Sequence, residues 1–211
     1  MAFGMPNISY IGYPVSVPCA GHGGLGFREA LRTDAPRLVE HLVRLEPADR
    51  RLRFCATLGD DAVARYVEGL WRGDAFVLSA QDGPLWPSAL GPAGPVRAAA
   101  MVAIAGSDAE IGISVDAGLR RHGIGAYLTQ TVGHLLAQRG VRRLHAHTLP
   151  GNRSMVALGR TCGAAIESGG GEVEITFAVG ALHRAYLRRR LTDRVGARVP
   201  PALRAVLSLS R

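Results

Sequence analysis

The sequence predicts a single-domain α/β fold with a mostly antiparallel sheet. In some segments apolar residues recur at the three-to-four-residue spacing of helices, and in others they alternate or run together, as in strands. Three strand-like segments follow one another without a helical segment between them, which indicates an antiparallel meander. A chain of 211 residues has the size of one domain and can bury a substantial core.

The first half of the chain is predicted to hold two helices and three strands. Residues 1–26 are rich in Gly and Pro, which predicts an irregular arm. Asp34 and Pro36 mark a helix start, after which apolar residues keep helical spacing to Leu45. A second helix begins near Asp60, with an acidic first turn. The strands are predicted at 74–80, 97–106 and 109–115, with a Gly- and Pro-rich loop after the first.

In the second half, helices and strands are predicted to alternate. A helix over 123–139 carries Ile124, Leu128 and Val132 on one face. A strand over 142–149 follows, and then a helix that Asn152 caps and that ends near 162. The last predicted strand spans 172–179, and residues 181–211 are predicted to form two short basic helices.

Composition narrows the class of protein. Hydrophobic residues make up 47% and charged residues 20%, as in ordinary globular proteins, and no apolar run reaches the length of a membrane span. The first 20 residues lack a basic region and are interrupted by prolines, so we expect no signal peptide and a cytoplasmic location. Cys19, Cys55 and Cys162 lack the spacing of a zinc site or a disulfide framework. We therefore expect reduced cysteines and no metal.

The net charge of +8 is concentrated at the end of the chain. Residues 181–211 hold eight arginines and one acid, Asp193, whereas residues 1–180 are nearly neutral. Three interpretations are open for this segment: a solvated helix face, a contact with a partner or a second copy, and attachment to acidic lipid or nucleic acid. It lacks the interleaved aromatic residues of single-strand binders, so we rank the contact helix first and nucleic acid last.

A glycine-containing loop precedes the helix predicted at 123–139. Glycines let a ligand approach the backbone closely, and the free N–H groups of a helix start attract phosphate. The loop lacks the Gly-Lys-Ser/Thr ending of a P-loop and the third glycine of a dinucleotide fingerprint. From the loop alone, a tight turn remains open beside a phosphate site. Its residues are Arg120, Arg121, His122, Gly123, Ile124, Gly125 and Ala126.

The segment 109–164 resembles the core of the GNAT acyl-CoA N-acyltransferases, and the order of elements agrees over residues 27–180. In that family the pattern Arg/Gln-x-x-Gly-x-Gly/Ala binds the pyrophosphate of coenzyme A, and Arg120, Gly123 and Gly125 match it. The resemblance implies a GNAT fold with a mixed, mostly antiparallel sheet over 27–180, between the arm and the basic extension. It also implies acetyl-CoA as cosubstrate.

The same resemblance implies further cofactor contacts. In the family, the strand before the loop separates from its neighbour and pairs its backbone with the pantetheine arm, which would involve Ile113, Ser114 and Val115. The asparagine that opens the next helix contacts the cofactor in the family, and here that residue is Asn152.

A narrower resemblance links residues 28–54 and 149–164 to the GNAT domain of bacterial protein lysine acetyltransferases. In those enzymes a glutamate at the start of the fourth strand is a candidate general base, and Glu110 matches it. A carboxylate can take the proton that an ammonium must lose before its nitrogen attacks a thioester. Without the resemblance, Glu110 is equally a solvated acid at a strand end or a partner for an arginine.

The chain departs from the family pattern at two positions. A tyrosine that protonates the departing thiolate is replaced by Gly159, and the usual Gly-Phe after that helix is Gly163-Ala164. Two functions therefore follow from the resemblance. The first is an N-acetyltransferase acting on a protein lysine or a small amine. The second is a catalytically degenerate module that binds acyl-CoA as a sensor or interaction protein.

Two further groups of reactive side chains are candidate sites. His145 and His147 alternate along a strand and could hold a metal with a third ligand, but no third ligand is evident, which favours packing or surface roles. Cys162 could be a nucleophile, but no His and acid arrangement supports it, which favours a small buried residue.

Overall fold

A computed structural model describes residues 25–82 and 94–198 as one seven-stranded sheet with helices on both faces. The strand order is β1-β2-β3-β4-β5-β7-β6, and all neighbours are antiparallel except β4 and β5, which are parallel. The predicted α/β fold with a mixed, mostly antiparallel sheet is confirmed.

The elements are β1 Leu25–Glu29, α1 Ala35–Val43, α2 Pro47–Phe54, α3 Asp60–Gly69, β2 Ala75–Asp82, β3 Val96–Ala105, β4 Asp108–Val115, α4 Ile124–Gln138, β5 Arg143–Thr148, α5 Arg153–Thr161, β6 Ala165–Gly169, β7 Glu172–Ala178 and α6 Val179–Arg198.

Three elements differ from those predicted from the sequence. β1 begins at Leu25, inside the segment predicted to be irregular, and neither α2 nor β6 was predicted. β6 and β7 form a hairpin whose turn residues, Gly170 and Gly171, both have positive φ. The second helix predicted in the basic segment, the start of the chain and part of the long loop lie outside the described residues.

The alternating strands bury one apolar face against α4, α5 and α6 and the other against α1 and α3. Leu128, Val132 and Leu136 of α4 pack on strand residues such as Ile111 and Ile175. On the other face, apolar residues of α1 and α3 pack on Val77, Ala99 and Met101. None of the helices in the described ranges has the length and apolar character of a membrane span.

Helix α6 packs along α4, so the first turns of the arginine-rich segment belong to the core. Leu182 and Tyr186 are buried. The guanidinium of Arg189 lies 4.9 Å from the ring centre of Tyr127, and that of Arg190 lies 5.7 Å from the ring centre of Tyr186. Two of the arginines are therefore in contact with aromatic rings of the same chain.

A buried polar network joins α1 to the end of β4. The Nε2 atom of His41 lies 2.8 Å from the hydroxyl of Ser114, and its Nδ1 atom lies 3.1 Å from a carboxylate oxygen of Asp116. Asp116 also pairs with Arg44 at 3.1 Å and Arg97 at 3.3 Å. Burial alone would raise the pKa of Asp116, but His41 and Arg44 outweigh it and lower the pKa. The network fixes the position at which β4 ends.

A second buried carboxylate, Asp34, stabilises the start of α1. It accepts two hydrogen bonds from Arg28, at 2.6 and 2.7 Å, one from Arg37 at 2.6 Å, and one from the N–H of Leu31 at 2.8 Å. Its side chain is 3% exposed. Burial raises its pKa, but the hydrogen bonds from Arg28 and Leu31 and the two guanidinium charges lower it below the usual value.

Asp34 should therefore contribute to acid sensitivity. Because its folded pKa lies below the unfolded value of about 3.9, its contribution is complete above that pH and is lost as the pH falls through the folded pKa. Asp34→Asn should lower the free energy of unfolding by about 2 to 4 kcal/mol at pH 7 and flatten its decline between about pH 4 and pH 2. Urea unfolding across this range measures both effects. The exposed Asp61→Asn serves as control, and an equal decline in the two variants would contradict the assignment.

Candidate functional site

The site is built around the place where β4 and β5 stop pairing. The two strands pair in parallel at only three positions, of which Glu110 and His145 are the last. β4 then stays with β3 as far as Val115, while β5 stays with β7 as far as Thr148. Each strand follows its outer neighbour, so a gap opens between them, and we call it the strand opening.

Part of the β4 backbone is directed toward the strand opening. The N–H of Asp116 donates to Arg97 of β3 at 2.9 Å, and backbone groups alternate in direction along an antiparallel strand. The N–H and C=O groups of Ile113 and Val115 therefore face the strand opening, whereas those of Ser114 face β3. The hydroxyl of Ser114 contacts His41. Of the three residues predicted to meet pantetheine, two offer backbone groups to that side.

The loop after β4 presents free N–H groups at the start of α4. Arg121 and Gly123 have positive φ angles of 65° and 77°. The first hydrogen bond within α4 runs from the N–H of Tyr127 to Gly123, so the N–H groups of Ile124, Gly125 and Ala126 lack partners within the helix. Within the described part of the chain, no side chain caps this end of the helix. These N–H groups and the positive end of a 15-residue helix suit a phosphate group.

The two glycines of the loop differ in what surrounds them. A Cβ atom at Gly123 would meet nothing within 4 Å, so this position is open on the outer side of the loop. A Cβ atom at Gly125 would point into the protein, 3.5 Å from Leu158 of α5. Gly123 is thus the glycine that the backbone conformation requires.

Arg120 holds the loop in place through contacts within the chain. Its Nε atom donates to the carbonyl of Val115 at 3.1 Å, and its Nη atoms donate to both carboxylate oxygens of Asp49 at 3.1 and 2.6 Å. The residue that matches the pyrophosphate pattern is therefore paired with α2. The remaining predicted loop residues Arg121 and His122 are exposed beside the free N–H groups.

Asn152 caps α5, as predicted. Its side-chain oxygen accepts from the N–H of Met155 at 3.1 Å, and its amide nitrogen donates to the hydroxyl of Thr148 at 2.8 Å. It therefore links the end of β5, on the far side of the strand opening, to the start of α5. Its contact with a cofactor stays a prediction.

Glu110 lies at the end of the paired region on the sheet face that α2 covers. Side chains at alternate positions of β4 share a face, and Ser114 on that face meets α1. Glu110 is exposed and lies beside His145 in register. The register places four more carboxylates on the same face. The full set is Asp108, Glu110, Glu167, Glu172 and Glu174.

His145 is held between two of these carboxylates. Its Nδ1 atom lies 3.0 Å from Glu174 and its Nε2 atom 3.1 Å from Asp108. Hydrogen bonds from Arg143 and His145 hold the pKa of Asp108 well below its usual range. The two carboxylates contact opposite sides of one imidazole and do not converge on a point. Within residues 25–82 and 94–198, no group of three His, Cys, Asp or Glu side chains could hold a metal ion.

The end of α2, a helix that the sequence did not predict, crosses the strand opening. The guanidinium of Arg53 rests on Gly112 of β4, and the thiol of Cys55 lies 3.7 Å from the carbonyl of His147 of β5. Burial and then the nearby Glu172 raise the pKa of Cys55. In the sequence, the only signal for α2 is Pro47, since proline is a typical first residue of a helix. Polar side chains make the contacts of α2 with β4 and β5, so no apolar pattern marks the helix.

Gly159 and Cys162 both lie against the core. A Cβ atom at Gly159 would come within 2.8 Å of Ile175 and 3.3 Å of Ile166, so β6 and β7 occupy the space where a side chain would go. Burial raises the pKa of Cys162 to about 11, which keeps it a neutral thiol at pH 7. Neither position offers a charged or acidic group to the strand opening.

The site combines two parallel strands that separate with a helix N-terminus that suits phosphate. These two features define a fold that binds a long phosphorylated cosubstrate between two strands. The sequence pattern of the acetyltransferase (GNAT) family matches residues 49–164. The chain therefore belongs to the GNAT family of acyl-CoA N-acyltransferases, which confirms the resemblance seen in the sequence.

Solved structures show the same fold at low sequence identity. The GNAT domain of S. lividans PAT is 22% identical with a TM-score of 0.58, over 72% of this chain and 89% of that chain. Aminoglycoside acetyltransferase AAC(6')-Ib, solved in complex with coenzyme A, is 15% identical with a TM-score of 0.56, over 76% and 98%. The ribosomal-protein-S18-alanine N-acetyltransferase from Escherichia coli is 14% identical with a TM-score of 0.53, over 74% and 94%. No protein of curated function matches the sequence.

The two loop glycines allow a matched test of the phosphate site. Gly123→Ala places a side chain on the open side of the loop and strains a left-handed residue by about 1 to 2 kcal/mol. Relaxation of this strain in the free protein has to be reversed when coenzyme A binds, so we expect binding to weaken about tenfold, since RT ln 10 is about 1.4 kcal/mol. Gly125→Ala, whose Cβ atom points to Leu158, should bind within about threefold of the wild type. Isothermal titration measures both, and equal losses in the two variants would argue against this loop.

Proposed function

We propose that this chain transfers an acetyl group from acetyl-CoA to a primary amine, with Glu110 as the general base. The observation that carries the proposal is the position of Glu110. It is the last β4 residue paired with β5, and its exposed side chain lies beside α2, directly before the strand opening. A base at this point can reach an amine that approaches a thioester held along β4.

The cofactor contacts proposed for acetyl-CoA follow from the same arrangement. The N–H groups at the start of α4 would hold the pyrophosphate, and the backbone of Ile113 and Val115 would pair with the pantetheine arm. Acetyl-CoA supplies the activated acyl group as a thioester. Arg120 would fix the loop through Asp49 and Val115, and Asn152 would fix the opposite rim.

The reaction needs a group that accepts a proton from the ammonium and hydrogen-bond donors that stabilise the negative charge of the oxyanion. Glu110 takes a proton from the ammonium, and the nitrogen lone pair then forms the bond to the acyl carbon. A backbone N–H of β4 stabilises the oxyanion that forms. The carbon–sulfur bond breaks, the nitrogen releases its second proton to solvent, and the thiolate takes a proton from water, because Gly159 offers no acid. Glu110 then returns its proton to solvent. The products are the acetylated amine and free coenzyme A.

The charge of the surrounding face supports a cationic acceptor. Besides Glu110, four carboxylates lie on the α2 side of the sheet, of which Asp108 is paired with Arg143. The other three, Glu167, Glu172 and Glu174, attract an ammonium group before it reaches Glu110. A protein lysine and a small amine both satisfy this condition. We propose the relation to bacterial protein lysine acetyltransferases on residues 28–54 and 149–164, which resemble that GNAT domain in sequence.

The second candidate is a module that binds acyl-CoA without turnover. The observation that favours it is the packing of Gly159, since Ile175 and Ile166 fill the space that a tyrosine side chain at this position would need to leave the helix. Release of free thiol from acetyl-CoA, measured with a panel of amines and lysine peptides, separates the two candidates. Binding of acetyl-CoA without thiol release from any acceptor would favour the sensor.

Replacing Glu110 tests the proposed base directly. Glu110→Gln should lower turnover by about 100-fold or more, as expected for loss of general base catalysis. The dissociation constant of acetyl-CoA should change less than about twofold, because the side chain is remote from the phosphate-binding N–H groups. Thiol release and isothermal titration measure the two quantities.

Glu167→Gln is the matched control, because Glu167 is an exposed carboxylate on the same face at the outer edge of the sheet. It should retain turnover within about threefold. Unchanged turnover in Glu110→Gln, or an equal loss in both variants, would exclude Glu110 as the base.

A further inference from the structure

Arg53 carries a partly buried positive charge, and no acid among residues 25–82 and 94–198 pairs with it. Its Nη2 atom contacts the hydroxyl of Tyr66 at 3.0 Å and the sulfur of Met101 at 3.1 Å. The guanidinium lies 4.9 Å from the ring centre of Phe54 and 5.6 Å from that of Tyr66. Among the described side chains, no carboxylate oxygen lies within 4.0 Å of it. Its Nε atom is buried without a hydrogen-bond partner in the described part of the chain.

This arrangement is costly for the free protein. A guanidinium removed from water loses hydration, and a nearby carboxylate normally offsets that loss. Neutral partners such as a phenol hydroxyl, a thioether and aromatic rings offset only part of it. Arg50 on the same helix shows the usual solution, since it donates to the carboxylate of Asp60 at 2.6 Å. Arg53 is therefore suited to bind an anion that comes from outside the chain.

The position of Arg53 indicates which molecule brings that anion. Its guanidinium fills the space that a side chain at position 112 would take if this residue were not glycine. Gly112 lies two residues beyond Glu110 on the same face of β4. Cys55, two residues further along α2's end, contacts the carbonyl of His147 on β5. The end of α2 therefore spans the strand opening. An acceptor that approaches from the α2 side meets Arg53 and Glu110 together.

We propose that Arg53 binds the carboxylate of the acceptor, so that the substrate class is a free amino acid acetylated on its α-amino group. This inference rests on the proposed acetyltransferase function and narrows its acceptor to a zwitterion. The ammonium would lie at Glu110 and the carboxylate at Arg53. Arg53 is a specificity-determining residue in this scheme and takes no part in proton transfer.

Distances along β4 favour an α-amino group over a side-chain amine. Residues two apart in a strand are separated by about 6.6 Å. In an α-amino acid, the nitrogen and the carboxylate carbon are about 2.5 Å apart. With a hydrogen bond of about 2.8 Å at each end, an α-amino acid reaches about 8 Å, slightly more than this backbone interval, so both of its charged ends can be bound at once. The ε-amine of lysine lies four methylene groups farther from its carboxylate and would overshoot Glu110.

The test compares acceptors that differ only in the carboxylate. Thiol release is measured with the twenty L-amino acids and with their carboxamides, in which the negative charge is absent. The wild type should prefer the acid over the amide of its best acceptor by at least about tenfold in kcat/KM, because an unpaired buried guanidinium remains with the amide. Arg53→Gln should reduce this preference to within about threefold, chiefly through KM. Arg53→Lys should retain part of it.

Two further variants separate the effect of charge on α2 from the effect of the position of Arg53. Arg51→Gln removes the same charge from an exposed position of α2 and should keep the preference. Gly112→Ala places a Cβ atom where the guanidinium lies, so it should displace Arg53 and lower the preference while the arginine is still present. Equal use of acid and amide by the wild type, or equal losses for both in Arg53→Gln, would overturn the proposal.

A binding measurement separates this proposal from the proposed function. Thermal-shift titration of the complex with free coenzyme A uses the same amino acids and amides and needs no turnover. An amino acid that binds the wild type at least about tenfold more tightly than Arg53→Gln supports the carboxylate site, even if no acceptor is acetylated. If none of the twenty amino acids binds, the carboxylate site is wrong. Turnover with lysine peptides alone would then leave the acetyltransferase intact with a different acceptor.

Discussion

The site depends on the point at which β4 and β5 stop pairing. Three parallel pairs hold the strands together, and each strand then follows its other neighbour. This separation leaves the backbone of Ile113 and Val115 without a strand partner on one side, where the carbonyl of Val115 accepts from Arg120 instead. The remaining backbone groups of this edge must be satisfied by something else. The His41, Ser114 and Asp116 network fixes the end of β4, so the edge is held in place rather than collapsed. A long, hydrogen-bonding cosubstrate suits such an edge.

Helix α2 couples the two halves of the site. Asp49, in its first turn, pairs with Arg120 of the phosphate loop, and Arg53, in its last turn, lies on β4 beside Glu110. No residue of α2 is fully buried, and its polar contacts act together with the packing of Phe54 on Tyr66 to position the helix. The two contacts are four residues apart on α2, which is about one helical turn. The opposite signs of Arg53 and the acidic face suit an acceptor that carries both charges.

The sequence predicted the elements that have strong periodicity and missed those that do not. Helix α4 and strands β2 to β5 follow from apolar spacing, and the cap at Asn152 follows from its side chain. β1 is short and β6 is largely exposed, so neither has a clear pattern. The glycine-containing loop of residues 120–126 is local in sequence and could be located, and its phosphate-binding role stays a prediction. Two contacts join segments that are distant in sequence: Arg53 with Gly112, and Arg120 with Asp49. No local sequence pattern could reveal such contacts. The roles of Glu110 and the loop residues came from the family resemblance.

The most direct test of the central claim is residue-resolved amide hydrogen exchange with and without acetyl-CoA. If the cosubstrate lies along the strand opening, the N–H of Ile113 and those of Ile124, Gly125 and Ala126 should exchange at least about tenfold more slowly in the complex. The N–H of Ser114 already faces β3 and should change little. Binding of acetyl-CoA that protects other segments and leaves Ile113 and the α4 start unchanged would contradict the account.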